Sequence, residues 1–136
     1  MGNILIKQIT NKDENFYLIM GRFLSKREIV KEFGCPIWDD DNKIWFLAYD
    51  KIDLLGFVSL LNKEDKCTIE SAYVLPQYRL KGIFRQLINN VFTYASNNYN
   101  KITVIAVNTI VHVYKEHGFI EKRKLKNDIK MEWSKL

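Results

Sequence analysis

The sequence is poor in cysteine, proline and glycine: its 136 residues include two, two and six of them. Two cysteines, Cys35 and Cys67, are too few for a disulfide framework and too far apart for the paired spacing of a zinc site. We therefore interpret both as reduced thiols, and we expect a cytoplasmic protein without a metal site. So little proline and glycine, beside 47% hydrophobic residues, excludes a collagenous or disordered chain.

Long apolar runs are also missing. No stretch approaches the roughly 20 residues of a membrane span, and the first ten residues lack the organisation of a signal peptide. Acidic residues are fewer than basic ones, 16 against 21, which gives a formal net charge of +5. Such a surplus suits nucleic acid, an anionic cofactor or an acidic substrate. No nucleic-acid-binding motif is recognisable, so we expect neither nucleic acid nor a membrane as a partner.

Short strands and helices follow one another without a repeat or a linker, which predicts one domain over residues 1–136. Alternation predicts a first strand at residues 4–9, and apolar residues spaced by helical turns predict a helix from Phe16 to Phe23. A capping-box spacing predicts a second helix over residues 25–34. Residues 44–49, 54–61 and 67–75 then form three strands joined by hairpin turns.

The strongest helical periodicity runs from Ile83 to Ala95. Residues 101–107 are rich in β-branched side chains and predict a strand, and residues 109–117 predict a short helix that ends at Gly118. Residues 119–124 and 129–133 complete the chain as a hairpin. The element order β-α-α-β-β-β-α-β-α-β-β therefore predicts an α+β (mixed α/β) fold with helices on a mixed sheet.

The stretch of residues 72–85 carries the most informative chemistry. A strand ends at Pro76, and a basic loop then runs directly into the long helix. Backbone N–H groups at a helix start are unsatisfied donors, and Gly82 lets an anion approach them. Positive charge is added by Arg79, Lys81 and Arg85. These features predict a phosphate or pyrophosphate site; the alternative is a basic helix start with a turn glycine.

This segment resembles the signature of the GNAT superfamily of acyl-CoA-dependent N-acetyltransferases. In that family a strand ending in V-x-P precedes R/Q-x-x-G-x-G/A at the head of a helix. Here Val74-Leu75-Pro76 precedes Arg79-Leu80-Lys81-Gly82-Ile83-Phe84. A second similarity follows the strand at residues 102–107, where Asn108 precedes Tyr114-Lys115-Glu116-His117-Gly118-Phe119. The element order agrees over essentially the whole chain.

Two features depart from the family pattern. Phe84 stands where the family usually has Gly or Ala, so its ring either crowds the pyrophosphate or faces the apolar stripe of its helix, and we favour the second interpretation. The spacing between Asn108 and Tyr114 is slightly shorter than the family's.

The resemblance implies a GNAT-like fold: a mostly antiparallel mixed sheet of about six or seven strands, helices on both faces, and a V-shaped opening between the fourth and fifth strands. It implies acetyl-CoA as acyl donor and an amine as acceptor, and dimers are frequent in the family. The pantetheine arm is expected along the fourth strand and the pyrophosphate at the loop. The implied cofactor-binding residues are Ala72, Tyr73, Val74, Arg79, Leu80, Lys81, Gly82, Ile83, Phe84, Arg85, Asn108 and Tyr114.

The resemblance also implies two proton-transfer residues. Tyr114 matches the tyrosine that protonates the departing thiolate; the alternative is a packed aromatic. Glu70 is the candidate base; the alternative is an exposed glutamate on a strand. Because side chains alternate along a strand, we expect Glu70 on the same face as Ala72 and Val74. A catalytically silent module that binds CoA or a protein is the alternative to an enzyme. We interpret two histidines and an acidic triplet as packing or surface groups: His112, His117 and Asp39, Asp40 and Asp41.

Overall fold

The computed structural model describes residues 4–21, 23–24, 37 and 39–135. It begins with β1 (Leu5–Ile9) and α1 (Phe16–Met20), and the strands β2 (Lys43–Asp50), β3 (Asp53–Lys63) and β4 (Lys66–Val74) follow. A 3-10 turn (Pro76–Tyr78) leads into α2 (Ile83–Asn98) and then β5 (Lys101–Val107). The last elements are a 3-10 turn (Asn108–Ile110), α3 (Val111–Lys115), β6 (Ile120–Lys124) and β7 (Asp128–Ser134). The helix predicted over residues 25–34 lies outside the described residues.

The strands β2, β3 and β4 form the predicted antiparallel meander, with two-residue turns between paired ends. Asp50 pairs with Asp53, and Lys63 pairs with Lys66. Lys51 and Glu64, the first residue of each turn, have positive φ. Primed hairpin turns require this conformation because its twist matches that of the flanking strands. Both predicted hairpins are therefore confirmed.

Packing rather than helical propensity holds α2. The helix contains several asparagines, which are weak helix formers, on its exposed side. Its opposite side buries Ile83, Leu87, Ile88, Val91 and Ala95 against the sheet. Burying one large aliphatic side chain contributes about 1.5–3 kcal/mol, whereas propensities differ by less than about 1 kcal/mol per residue. The apolar stripe therefore decides where this helix lies.

The seven strands form one sheet in the order β1-β2-β3-β4-β5-β7-β6. Its pairs are antiparallel except for β4 and β5, which run parallel. The helices α2 and α3 pack with the core on one face, and α1 packs with a second core on the other. The predicted fold class, with helices on both faces, is confirmed. Among the described residues, none of the helices has the length and apolar character needed to cross a membrane.

Candidate active site

The parallel strands β4 and β5 separate partway along their length. Their pairing runs from Lys66 and Lys101 to Ile69 and Val104, and there it ends. The hydroxyls of Thr68 and Thr103 hydrogen-bond at 2.9 Å within the paired part. Beyond it, β4 continues to Val74 and β5 to Val107 without pairing to each other. The result is the predicted V-shaped opening, with α2 following one strand and α3 following the other.

A β-bulge changes the side-chain alternation of β4. The register shifts between Phe57 and Ser59 of β3, so that Tyr73 lies opposite Phe57 and Glu70 lies opposite Ser59. Ser71 adopts φ +52°, the left-handed conformation, and two residues of β4 stand opposite one of β3. Val58 is the residue of β3 that they face.

The bulge overturns one prediction about Glu70. Ala72 and Val74 pack with the α2 core, whereas Tyr73 joins the α1 core. Glu70 pairs with Ser59 on the α1 side of the sheet, because paired residues project to the same face. The expectation that Glu70 shares a face with Ala72 and Val74 was wrong, because strict alternation does not survive an inserted residue.

Glu70 forms an ion pair with Lys43 of β2. The Lys43 Nζ lies 3.2 Å from Glu70 Oε1 and 5.4 Å from the centre of the Trp45 ring. The Lys43 side chain is 6% exposed and that of Glu70 is 38% exposed. Lys43 was not predicted as a site residue, although the sequence carries a signal for it. Lys43 stands two residues before Trp45 and four before Leu47, so the three share one face of β2. A lysine therefore occupies a core-facing position of this strand.

The start of α2 presents unsatisfied backbone donors. Gly82 precedes the helix with φ +80°, and no side chain in the described part of the chain caps the helix start. Gln86 N–H donates to the Gly82 carbonyl at 3.1 Å, so the three N–H groups before it precede the first intrahelical bond. A Cβ built on Gly82 meets no atom of the described residues within 4 Å, so they leave the space in front of this backbone open. Leu80, also at positive φ, is fully exposed beside it.

The three predicted phosphate-binding cations differ in their surroundings. Arg79 Nε donates to the Val74 carbonyl at 2.7 Å, and its guanidinium lies 5.2 Å from the centre of the Tyr73 ring. Arg85 forms an ion pair with Glu116, and the hydrogen bond from Arg85 lowers the pKa of the Glu116 carboxyl below its usual value. Lys81 is exposed on the loop. The local sequence around Arg79 and Arg85 gave no sign of these partners.

Tyr114 lies in an aromatic cluster on α3. Its side chain is 1% exposed, and burial raises the pKa of its phenol well above 10. The Phe84 ring meets it edge-on, with centroids 6.3 Å apart, and Phe119 meets it at 5.5 Å. Phe84 is half-buried against the core, as predicted for a residue of the helix stripe. Asn108 is exposed in the 3-10 turn after β5.

The two histidines do not contribute to this site. His117 Nε2 lies 2.7 Å from Asn89 Oδ1, and its ring stacks on Phe92 at 4.5 Å. Burial lowers the pKa of His117, which favours the neutral ring. His112 is exposed. In the part of the chain that the structure describes, no group of three or more metal-binding side chains comes together.

The acidic triplet Asp39, Asp40 and Asp41 stabilises its loop through hydrogen bonds. Asn11 Nδ2 donates to carboxylate oxygens of Asp39 and Asp41 at 3.0 and 2.8 Å, and Trp45 Nε1 donates to Asp39 at 3.0 Å. Asp40 accepts from the backbone N–H of Asn42. These bonds tie the turn before α1 to the start of β2.

Comparison with solved structures places the fold among acyltransferases. The chain superposes on an acyl-CoA N-acyltransferase from Pseudomonas aeruginosa with a TM-score of 0.76 and 19% identity, covering 96% of this chain and 99% of the other. A GNAT family acetyltransferase from Elizabethkingia anophelis with acetyl-CoA bound gives 0.69 at 17% identity, with 98% and 99% covered. The PaiA N-acetyltransferase from Thermoplasma acidophilum, in complex with coenzyme A, gives 0.66 at 14% identity, with 98% and 100% covered.

Sequence comparison points to the same group. An uncharacterized N-acetyltransferase of Methanocaldococcus jannaschii is 27% identical over 114 residues, which is 81% of this chain. The match covers 48% of that relative, so the chain spans about half its length. The family model of the Acetyltransferase (GNAT) domain matches residues 10–134. The chain therefore belongs to the GNAT acetyltransferase family, as its two sequence motifs predicted.

Proposed function

We propose that residues 1–136 form one cytoplasmic acetyltransferase domain that transfers an acetyl group from acetyl-CoA to a primary amine. The amine attacks directly while both substrates are bound. One observation carries the proposal: β4 leaves β5 beyond Ile69, beside the uncapped start of α2. Beyond Ile69 the β5-facing edge of β4 pairs with no other described strand, and this edge together with the N–H groups before the first intrahelical bond of α2 suits a long ligand that is anionic at one end.

The residues present fit such a cofactor. The backbone of Ala72, Tyr73 and Val74 borders the opening and is proposed to pair with the pantetheine arm. The loop and first turn at residues 79–85 are proposed to bind the pyrophosphate, since a Cβ built on Gly82 would touch none of the described atoms and Lys81 is exposed. Acetyl-CoA supplies the acetyl thioester. The Thermoplasma acidophilum and Elizabethkingia anophelis proteins, which share this fold, are complexes with coenzyme A and acetyl-CoA.

The proposed chemistry forms a C–N bond and breaks the C–S bond of the thioester. A backbone N–H near Val74 is proposed to polarise the thioester carbonyl. Tyr114 donates its phenolic proton to the departing thiolate. Burial keeps this phenol protonated at neutral pH, so its proton is present when the thiolate leaves.

Glu70 is the proposed acceptor of the amine's proton, directly or through water. It lies on β4 just before the bulge and is partly open to solvent. Its pair with Lys43 keeps the carboxylate in one place on the α1 face of the sheet. Because Glu70 also balances the charge of a buried lysine, substituting it changes stability as well as chemistry. Tyr114 therefore gives the cleaner test.

The test is thiol release from acetyl-CoA with a panel of primary amines. We expect turnover by the wild type and about 100-fold lower turnover for Tyr114→Phe, since general acid catalysis contributes about 10²–10⁴. The affinity for CoA should change less than about twofold, because the ring and its packing remain. Tyr99→Phe is the matched control, a buried tyrosine at the far end of α2.

Two results contradict the proposal in different ways. A wild-type rate for Tyr114→Phe removes this residue as the acid. CoA binding without turnover on any amine favours the silent module over the enzyme.

A further inference from the structure

The first turn of α2 is attached to the α3 segment by two neighbouring side chains. Phe84 meets the Tyr114 ring edge-on, with an interplanar angle of 83°, and Arg85 pairs with Glu116 just after α3. The Arg85 and Glu116 side chains are 43% and 49% exposed, so their pair contributes little in water. Phe84 is half-buried and Tyr114 fully buried. The aromatic contact is therefore the stronger of these two links between the helices.

The contact with Phe84 joins the Tyr114 ring to the first turn of α2. Its helix, α3, has five residues, which is too short to be stable alone. Phe119 also meets Tyr114 edge-on; it lies directly before β6 and packs against Phe92 near the middle of α2. Phe84 reaches Tyr114 from a sixteen-residue helix that is packed on the sheet. Of these two ring contacts, the one from Phe84 comes from the first turn of α2 and so joins Tyr114 directly to the proposed anion-binding end of the site.

We propose that Phe84 is a positioning residue, which aims the Tyr114 hydroxyl at the departing thiolate. This inference rests on the proposed function and on Tyr114 as its acid. The backbone of Phe84 belongs to the first turn of α2, where the pyrophosphate is proposed to bind. One residue therefore joins the anion-binding end of the site to its proton donor. A general acid must lie within hydrogen-bond reach of its target, and a misplacement of about 1 Å can cost about 100-fold in rate.

The experiment compares two leucine substitutions on the same helix. Phe84→Leu keeps an apolar side chain but removes the ring that meets Tyr114. Phe92→Leu is the matched control, since Phe92 is also a half-buried aromatic of α2 but contacts His117, Phe119 and Trp133. We expect Phe84→Leu to lower kcat about tenfold with the KM for acetyl-CoA within about twofold. Phe92→Leu should keep the wild-type kcat.

A second background shows whether the effect passes through Tyr114. In Tyr114→Phe, adding Phe84→Leu should cost no further activity, because residues that act as a unit are not additive. Phe84→Tyr, which retains a ring, should recover most of the rate. If Phe84→Leu does not fold, Phe84→Met replaces it, since methionine fills irregular space with similar volume.

Several outcomes overturn the inference. The first is an unchanged kcat in Phe84→Leu, and the second is a change in KM instead of kcat. The third is an equal relative decrease of kcat in the wild-type and Tyr114→Phe backgrounds. Absence of turnover in the wild type has a different meaning, because it contradicts the proposed function itself and the inference fails with it. If the wild type turns over and Tyr114→Phe has the same rate, the transferase activity stands. The proposed role of Phe84, which acts through Tyr114, is then overturned.

Discussion

Arg79 and Lys81 lie on one loop but differ in what they contact. The Arg79 side chain hydrogen-bonds back to the end of β4 at Val74 and covers the Tyr73 ring. Lys81 is exposed beside the open space at Gly82. We interpret Arg79 as a brace that holds the loop against β4, and Lys81 as a source of charge for the phosphates.

Salt dependence of CoA binding separates these two roles. Lys81→Ala should weaken binding about tenfold or less at low salt and approach the wild type at high salt, since exposed charges are screened within about 8–10 Å. Arg79→Lys retains the charge but loses the bond to Val74, so it should weaken binding by a similar factor at every salt concentration. Calorimetric titrations at low and high ionic strength measure both. Equal salt dependence in Lys81→Ala and the wild type would contradict the electrostatic role.

At the scale of elements, the close pairing of β3 and β4 shapes the opening. A Cβ on Gly56 would lie 2.6 Å from the Tyr73 carbonyl oxygen and 3.0 Å from Val74 Cα, both backbone atoms. Only glycine therefore lets β3 approach β4 where the pantetheine arm is proposed to lie.

Gly56→Ala should force these strands apart. We expect a loss of about 1–3 kcal/mol in the free energy of unfolding, the usual cost of overpacking, together with weaker CoA binding. Gly82→Ala is the contrast, because its Cβ would have no neighbour within 4 Å among the residues that the structure describes, and its strain at positive φ costs about 1 kcal/mol. Urea unfolding and CoA titration of both variants provide the measurement. Wild-type stability in Gly56→Ala would show that the strands tolerate the methyl group.

Periodicity predicted most elements and missed the bulge. The α2 stripe from Ile83 to Ala95 and both hairpins follow directly from residue spacing. Ser71 adopts a left-handed conformation without being glycine, asparagine or aspartate, so no local signal distinguishes it from an ordinary strand residue. The reversed alternation of side chains beyond Ser71 could therefore not be predicted from the sequence.

The site was predictable only where its parts are local. The loop, its glycine and the tyrosine motif can be read from adjacent residues. The partners of Arg85 and Glu70, which are Glu116 and Lys43, lie 31 and 27 positions away, and only the folded sheet brings them together. Long-range pairing of charged side chains has no periodic signature in the chain.

At the scale of the whole molecule, buried neutral acids among the described residues link stability to pH, and Cys67 and Tyr114 are two of them. Burial raises the pKa of the Cys67 thiol to about 12 from its usual 9, and it raises the pKa of Tyr114 above its usual 10. The unfolded chain releases these protons first as pH rises. Their stabilisation is therefore complete below pH 9 and is lost progressively above it.

Urea unfolding between pH 8 and pH 11 tests this linkage. The free energy of unfolding should fall by about 1.4 kcal/mol per pH unit for each group that ionises only in the unfolded chain. In Cys67→Ala the decline should begin about one pH unit later, near the usual pKa of tyrosine. Superimposable pH dependence in this variant and the wild type would contradict a buried neutral thiol.

The net charge of +5 can be interpreted from the positions of the charged side chains in the fold. Several basic side chains are neutralised within the fold: Lys43 by Glu70, Arg85 by Glu116, Lys101 by Glu132 and Lys115 by Glu121. Lys81 remains exposed at the start of α2, where an anionic cofactor is proposed.

The most direct measurement is a calorimetric titration of the wild-type protein with acetyl-CoA at physiological ionic strength. We predict saturable binding of one acetyl-CoA per chain, with an affinity that falls as salt is added. Absence of binding under these conditions would contradict the central claim, that the opening between β4 and β5 and the start of α2 form an acetyl-CoA site.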